Sequence, residues 1–224
     1  MARIGLLGGT GPEGKGLALR FAAIGEEVRV GSRQKERAQE VAAKLQEKLR
    51  SHQLDGTITG GENGEVADWC EAAVLTFPYE GVETLLPPLQ PALAGKIVMD
   101  TINPMELRDG VFHLMRVPAG SAGERIQELL PASRVVACFK NSSAKELMDL
   151  NEVLHGDILL CGNVPEANAW VAQLVRRIPE LRAVDAGMLA NAHHLESITT
   201  LLMNLNRRYK ALTSIQILGL PKTV

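Results

Sequence analysis

Ile4-Gly5-Leu6-Leu7-Gly8-Gly9-Thr10-Gly11-Pro12-Glu13-Gly14 is the stretch on which the architecture of this chain turns. Its first four residues form a short apolar run, as in a strand buried on both faces of a sheet. Its last six fit the pattern G-x-G-x-x-G. Between a strand and a helix, each glycine of that pattern has its own task. Gly9 permits the sharp bend, Gly11 lets backbone approach a pyrophosphate, and Gly14 lets the helix pack on the strand. The helix that follows starts near Pro12 and stops at Gly25, and its free N–H groups suit an anion. The position of the pattern inside a complete βαβ unit is what points to dinucleotide binding.

Outward from this turn, strand and helix signals alternate. Val28-Arg29-Val30 reads as a second strand. Ala38, Val41, Ala42, Leu45 and Leu49 form the apolar stripe of a helix over 35–50. Further strands are expected at 73–77, 96–100, 135–138, 158–161 and 183–185. Ser121 with Glu124, and Ser143 with Glu146, resemble capping boxes, predicting helices that run to about Leu130 and Leu154. A helix over 166–177 completes the series. The alternation predicts an α/β fold: a doubly wound, mostly parallel, Rossmann-like sheet. Residues 1–187 are read as the dinucleotide-binding domain. Residues 188–224 are read as a small C-terminal helical lobe, built from one long helix over 190–208 and the apolar tail at 215–218.

Composition narrows the function classes. The chain has 224 residues, 46% hydrophobic but only 4% aromatic, so its core must be aliphatic. A net charge of −2 leaves no basic excess for a nucleic-acid backbone, and nucleic acid is not expected as a partner. No run approaches the roughly 20 apolar residues of a membrane span. Cys70, Cys138 and Cys161 are odd in number and apolar in setting, which predicts buried reduced thiols and a cytoplasmic location. Met1-Ala2-Arg3 runs straight into the first strand, so no signal peptide is expected.

The end of the second strand selects the nucleotide. An NAD site places Asp or Glu there to accept from the ribose hydroxyls. This chain has Gly31-Ser32-Arg33, with Lys35 and Arg37 beyond, a set suited to a 2′-phosphate. NADP(H) is therefore expected rather than NAD, with Ser32, Arg33 and Arg37 on the phosphate. Leu75-Thr76-Phe77-Pro78 and Thr101-Ile102-Asn103 end two central strands and border the crevice where the nicotinamide half would lie. Phe77 and Pro78 would form an apolar wall; Thr101 and Asn103 would offer hydrogen bonds.

His193-His194-Leu195-Glu196 does not make a metal site, because adjacent helical side chains diverge by about 100° and no third ligand has suitable spacing. Leu195, Ile198, Leu202 and Leu205, widened by Leu201 and Ala192, leave more apolar surface than a small lobe can bury, which predicts a homodimer.

Gly8-Gly9-Thr10-Gly11, Gly14-Lys15-Gly16-Leu17-Ala18-Leu19-Arg20 and Val30-Gly31-Ser32-Arg33 together resemble the NADP oxidoreductases dependent on coenzyme F420. Ala73-Val74-Leu75-Thr76, Leu160-Cys161-Gly162 and Asp185-Ala186-Gly187 extend the resemblance over nearly the whole chain. It implies hydride exchange between NADP(H) and a deazaflavin, coenzyme F420, directly and without a catalytic side chain. It also implies that Thr10, Gly11, Pro12 and Glu13 hold the pyrophosphate and that Thr76, Phe77 and Pro78 lie on the nicotinamide side. Where the family carries His-Thr-Ile-Pro-Ala beside the deazaflavin, this chain has Phe139-Lys140-Asn141-Ser142-Ser143-Ala144. There Phe139 would stack on a ring, Lys140 would meet an acidic group, and Asn141 and Ser143 would complete a cosubstrate site. That departure also admits a flavin, iron–flavin or imine acceptor. A noncatalytic NADP(H)-binding redox sensor is the reading from outside enzymology.

Overall fold

The computed structural model describes residues 1–220; the last four residues of the expected C-terminal lobe lie outside them. The chain begins with β1 (Arg3–Leu7), α1 (Pro12–Ala23), β2 (Glu27–Ser32), α2 (Lys35–Ser51), β3 (Thr57–Glu62), α3 (Asn63–Trp69) and β4 (Ala72–Leu75). Short helices α4 (Val82–Leu85) and α5 (Gln90–Leu93) lead to β5 (Ile97–Asp100) and a hairpin, β6 (Met105–Arg108) and β7 (Val111–Leu114). Then come α6 (Ala122–Leu129), β8 (Arg134–Ala137), α7 (Ala144–Met148), β9 (Gly156–Gly162), α8 (Pro165–Arg176), β10 (Leu181–Asp185) and α9 (Ala192–Tyr209).

Eight strands form one sheet in the order β10-β9-β8-β5-β4-β1-β2-β3. Six of them, β3 through β8 in that order, are mutually parallel. β9 runs antiparallel to β8, and β10 follows β9 in parallel. The chain order reverses between β1 and β4, which is the point where an open α/β sheet leaves a crevice.

Both faces of the sheet are covered. Ile4 and Leu6 of β1 share one apolar cluster with Leu17 and Phe21 of α1, Leu45 and Leu49 of α2 and Val171 of α8. Leu7 points the other way, into a cluster with Val66, Ile126 and Leu195. The two-residue period of a strand thus divides one short apolar run between two layers. Burying one large aliphatic side chain contributes roughly 1.5–3 kcal/mol, so each layer is anchored by many such side chains.

The structure adds elements that the sequence patterns do not reveal. β3 is Thr57-Ile58-Thr59-Gly60-Gly61-Glu62, and its glycines break the apolar alternation of a strand. Gly60 is required there because a Cβ would lie 2.4 Å from the Ala38 backbone of α2. The β6–β7 hairpin turns at Asp109 and Gly110, whose φ values of 50° and 77° suit a tight hairpin turn. The helix expected from Ser143 to about Leu154 ends at Met148. Its continuation is prevented by Arg20 of α1, whose guanidinium gathers the carbonyls of Glu146, Leu147, Asp149 and Glu152. Those carbonyls would otherwise accept from the next helical turn.

Candidate functional site

The glycine turn is held rigidly. Gly9 N–H donates to Gly31 O at 2.9 Å, and Gly8 N–H donates to Asn63 Oδ1 at 3.0 Å. Asn63, buried at the start of α3, was not singled out by sequence; nothing in its local pattern marks it, because its partners come from β1 and β2. A Cβ on Gly14 would sit 2.5 Å from Gly9 Cα, so helix and turn are in backbone contact. Gly11 differs: a Cβ there would meet only Thr76 O, at 3.9 Å. Space is therefore kept open beside the α1 N-terminus, whose cap makes no side-chain hydrogen bond. An anion of pyrophosphate size fits this cradle by charge and by room.

At the end of β2, Ser32 is buried and its Oγ accepts from Gln34 N–H at 3.2 Å. Arg33 and Arg37 are exposed and make no ion pair among the described residues. Lys35 is engaged, with Nζ 2.7 Å from Glu65 Oε1. Glu62 stands level with Ser32 in the β2–β3 register, but its carboxylate caps α3. Two guanidinium groups are thus left without an ion pair among the described residues, and the nearby acid is occupied by a helix end.

From the turn, a cleft of about 510 Å³ opens across the carboxyl ends of the central strands, a size ordinary for a cofactor site. Glu13, Thr76, Phe77, Pro78, Thr101 and Asn103 lie along its dinucleotide side. Phe77 packs against Gly8, where a Cβ would be 2.9 Å from Phe77 Cβ. The Thr76 hydroxyl donates to Leu7 O at 3.1 Å and the Thr101 hydroxyl to Leu75 O at 2.8 Å, so both fix strand ends. Asn103 Nδ2 donates to Lys140 O at 3.0 Å, while its buried Oδ1 has no partner among the described residues. Because Lys140 O can only accept, the amide orientation is determined, and Oδ1 is an acceptor awaiting a donor.

The segment 139–143 lines the same cleft but not in the way its residue types suggest. Phe139, with φ of 54°, turns its ring into the core, edge-on to Phe21 at 5.7 Å, rather than toward a ligand. Lys140 is fully buried, with Nζ 2.7 Å from Asp100 Oδ2 and 3.2 Å from Glu196 Oε1. It also donates to Ile102 O, so all three ammonium protons have partners inside the protein. Burial alone would lower the Lys140 ammonium, but Asp100 and Glu196 outweigh it and hold it above its ordinary value. The expected contact between Lys140 and an acidic ligand is thereby replaced by a structural ion triad. Asn141 Nδ2 donates to Asp157 O at 2.7 Å, and Ser143 caps α7. Ser142, which the sequence did not distinguish from its neighbours, sets its hydroxyl 2.6 Å from Phe139 O and 2.9 Å from Glu13 Oε1 across the cleft.

The far wall is α9 and the segment after it, through Thr199, Leu202, Asn206 and Thr213. Thr199 Oγ1 donates to Lys140 O at 2.9 Å, and Asn204 brackets the backbone of Phe112 in the hairpin. Cys70, Cys138 and Cys161 are buried and free, and burial pushes the Cys161 thiol up to about 12. Among the described residues no helix is long and apolar enough to cross a membrane.

Comparison with known proteins gives a consistent picture. The family model for the coenzyme F420-dependent NADP oxidoreductases matches residues 3–104. An F420-dependent NADP reductase of Methanocaldococcus jannaschii is 38% identical over 97% of this chain and 99% of its own length. Its counterpart from Methanothermobacter marburgensis is 36% identical over 98% of this chain and 100% of its own. A solved structure from Arthrobacter sp. FB24, of a candidate F420-dependent NADP reductase, superposes with a TM-score of 0.81. It covers 98% of this chain and all of that one at 24% identity, which speaks to the fold.

Proposed function

The chain belongs to the coenzyme F420-dependent NADP oxidoreductases, and on that premise we propose that it transfers a hydride between NADP(H) and the deazaflavin F420. The observation that carries this reading is the continuity of three features: the open glycine turn at Gly11, the unpaired Arg33 and Arg37, and the cleft leading from that turn across β4 and β5.

The two cofactors supply the reacting carbons and electrons; the protein positions them and excludes water. Gly9 to Glu13 receive the pyrophosphate, and Ser32, Arg33 and Arg37 the 2′-phosphate. Phe77 and Pro78 wall the nicotinamide side. Asn103 Oδ1 offers its unpaired acceptor to an N–H donor such as a carboxamide. Leu202, Met203 and Leu212 form the apolar side against which the second ring would lie, so that the described part of the C-terminal lobe, 188–220, serves that ring.

The exposed Leu201 on α9, with Leu107 and Val111 on the hairpin, supports a homodimer through this lobe. Two diffusible cosubstrates and three free thiols support a cytoplasmic setting. The test mixes the protein with NADPH and oxidised F420 and follows loss of the deazaflavin absorbance. Turnover with F420 supports the reading. Reduction of a flavin or imine without turnover of F420 replaces the acceptor, and tight NADPH binding with no acceptor reduced favours a sensor.

A further inference from the structure

Hydride transfer leaves one proton to be placed. NADPH gives up one hydrogen with two electrons, whereas a deazaflavin takes up two electrons and two hydrogens. The balanced reaction is NADPH + F420 + H⁺ ⇌ NADP⁺ + F420H2, so a proton must be delivered to or removed from the cleft with each turnover.

Of the described side chains lining the cleft, Glu13, Tyr79 and Lys140 can titrate. Lys140 is excluded because its ammonium is enclosed by Asp100, Glu196 and Ile102 O. Tyr79 is excluded because burial and Glu83 hold its phenol above an already high ordinary value. From β4, β5 and α9 the remaining groups are Thr76, Phe77, Thr101, Asn103, Thr199 and Asn206, none of which exchanges protons near neutrality. The other charged groups of α1 and α7 are Lys15, Arg20, Lys145 and Glu146. None of them pairs with Glu13 among the described residues. Its partner is the Ser142 hydroxyl.

We propose that Glu13 is the proton-exchanging group of this cleft. Its carboxyl O–H supplies the proton that accompanies hydride arrival on the acceptor, becomes a carboxylate, and is reloaded from water. In the reverse direction the carboxylate takes that proton up. This assignment rests on the hydride-transfer reading above. Burial pushes the Glu13 carboxyl from its ordinary 4.5 up to about 7, with the Ser142 hydroxyl pulling the other way. A proton held at that value is both present and transferable at neutral pH. A pyrophosphate at the Gly11 turn adds negative charge beside the carboxyl and strengthens its hold on the proton. A neutral Glu13 also removes the repulsion that a carboxylate would offer that anion.

Glu13→Gln keeps the shape and the hydrogen-bond acceptor but cannot exchange a proton. It is expected to lower kcat about 100-fold and to erase the inflection near pH 7 from the rate profile. Carbon-13 NMR of glutamate-labelled protein reads the same group without turnover. One carboxyl signal should titrate near 7, vanish in Glu13→Gln, and move to higher pH on saturation with NADP⁺. Ser142→Ala, which removes the hydrogen bond favouring the carboxylate, should move that midpoint upward in both measurements. Unchanged kcat and pH profile in folded Glu13→Gln, or a Glu13 signal titrating near 4.5, would overturn the proposal. Should Glu13→Gln not fold, the NMR midpoint of the native protein and the Ser142→Ala shift decide it. Native protein that fails to turn over F420 defeats the hydride-transfer reading instead, and the NMR result stands apart from that.

Discussion

The two sides of the cleft are built by opposite means. The dinucleotide side is built around a backbone turn, residues 8–14, where a Cβ on Gly8, Gly9 or Gly14 would lie 2.9, 2.8 or 2.5 Å from its nearest neighbour. The acceptor side is assembled from side chains far apart in the chain. There Lys140 joins β5 to α9 through Asp100 and Glu196, and Arg20 of α1 gathers carbonyls from the end of α7 and the segment after it. A wall made of backbone has little freedom to vary, since a single Cβ would fill it. A wall made of side-chain contacts can be altered piece by piece, and each piece carries a different energetic weight.

That contrast can be broken most decisively at Lys140. Lys140→Ala leaves two buried carboxylates facing each other without a cation, which should cost about 3–5 kcal/mol in a urea unfolding series at pH 8. Burial already raises the Glu196 carboxyl. Without Lys140 the Glu196 carboxyl binds its proton more readily folded than unfolded. The variant should therefore lose stability as pH rises and regain part of it as pH falls. A loss below about 1 kcal/mol would mean that the triad is not what secures the acceptor side. Next in size is Arg33→Ala, which removes charge-assisted hydrogen bonds worth about 1.5–3 kcal/mol. The KM for NADPH should rise roughly 10- to 150-fold while that for NADH stays put. An equal change for both nucleotides would move the phosphate pocket elsewhere. Lys35→Ala should do least. Its exposed pair with Glu65 predicts no measurable change in urea midpoint or in the NADPH-to-NADH ratio. A fall in that ratio would bring Lys35 into the phosphate pocket after all.

The same contrast explains what could be read without coordinates. The turn at 8–14, the α2 stripe and the Ser121–Glu124 cap are local, and their signals lie in adjacent residues; Ser121 Oγ accepts from Glu124 N–H as the spacing implies. Phe139 and Lys140 misled because their partners, Phe21, Asp100 and Glu196, are distant in sequence and reach them only through the fold. An isolated lysine beside a cleft suggests an anionic ligand; a lysine between two buried acids is a structural member. The Asp109-Gly110 turn did carry a local hairpin signal, but the flanking strands are too short and too exposed to show an alternation. Asn63 had no such signal, since its role depends on two strands arriving beside it.

The antiparallel course of β9 and β10 has a practical side for anyone redesigning this protein. It brings the amino end of β9 to the cleft, where Asp157 O receives Asn141 and the Asp157 carboxylate is clamped by Arg182. The chain's late segment docks at the same residue, through Ile215 O and Ile217 N–H. Everything from β9 onward is tied back to the earlier sheet by the Lys140–Glu196 pair and by Thr199 on Lys140 O, so an exchanged segment must keep Glu196 and Thr199. Chimeras cut near Gly156 would keep the nucleotide preference of one parent and inherit the acceptor range of the other.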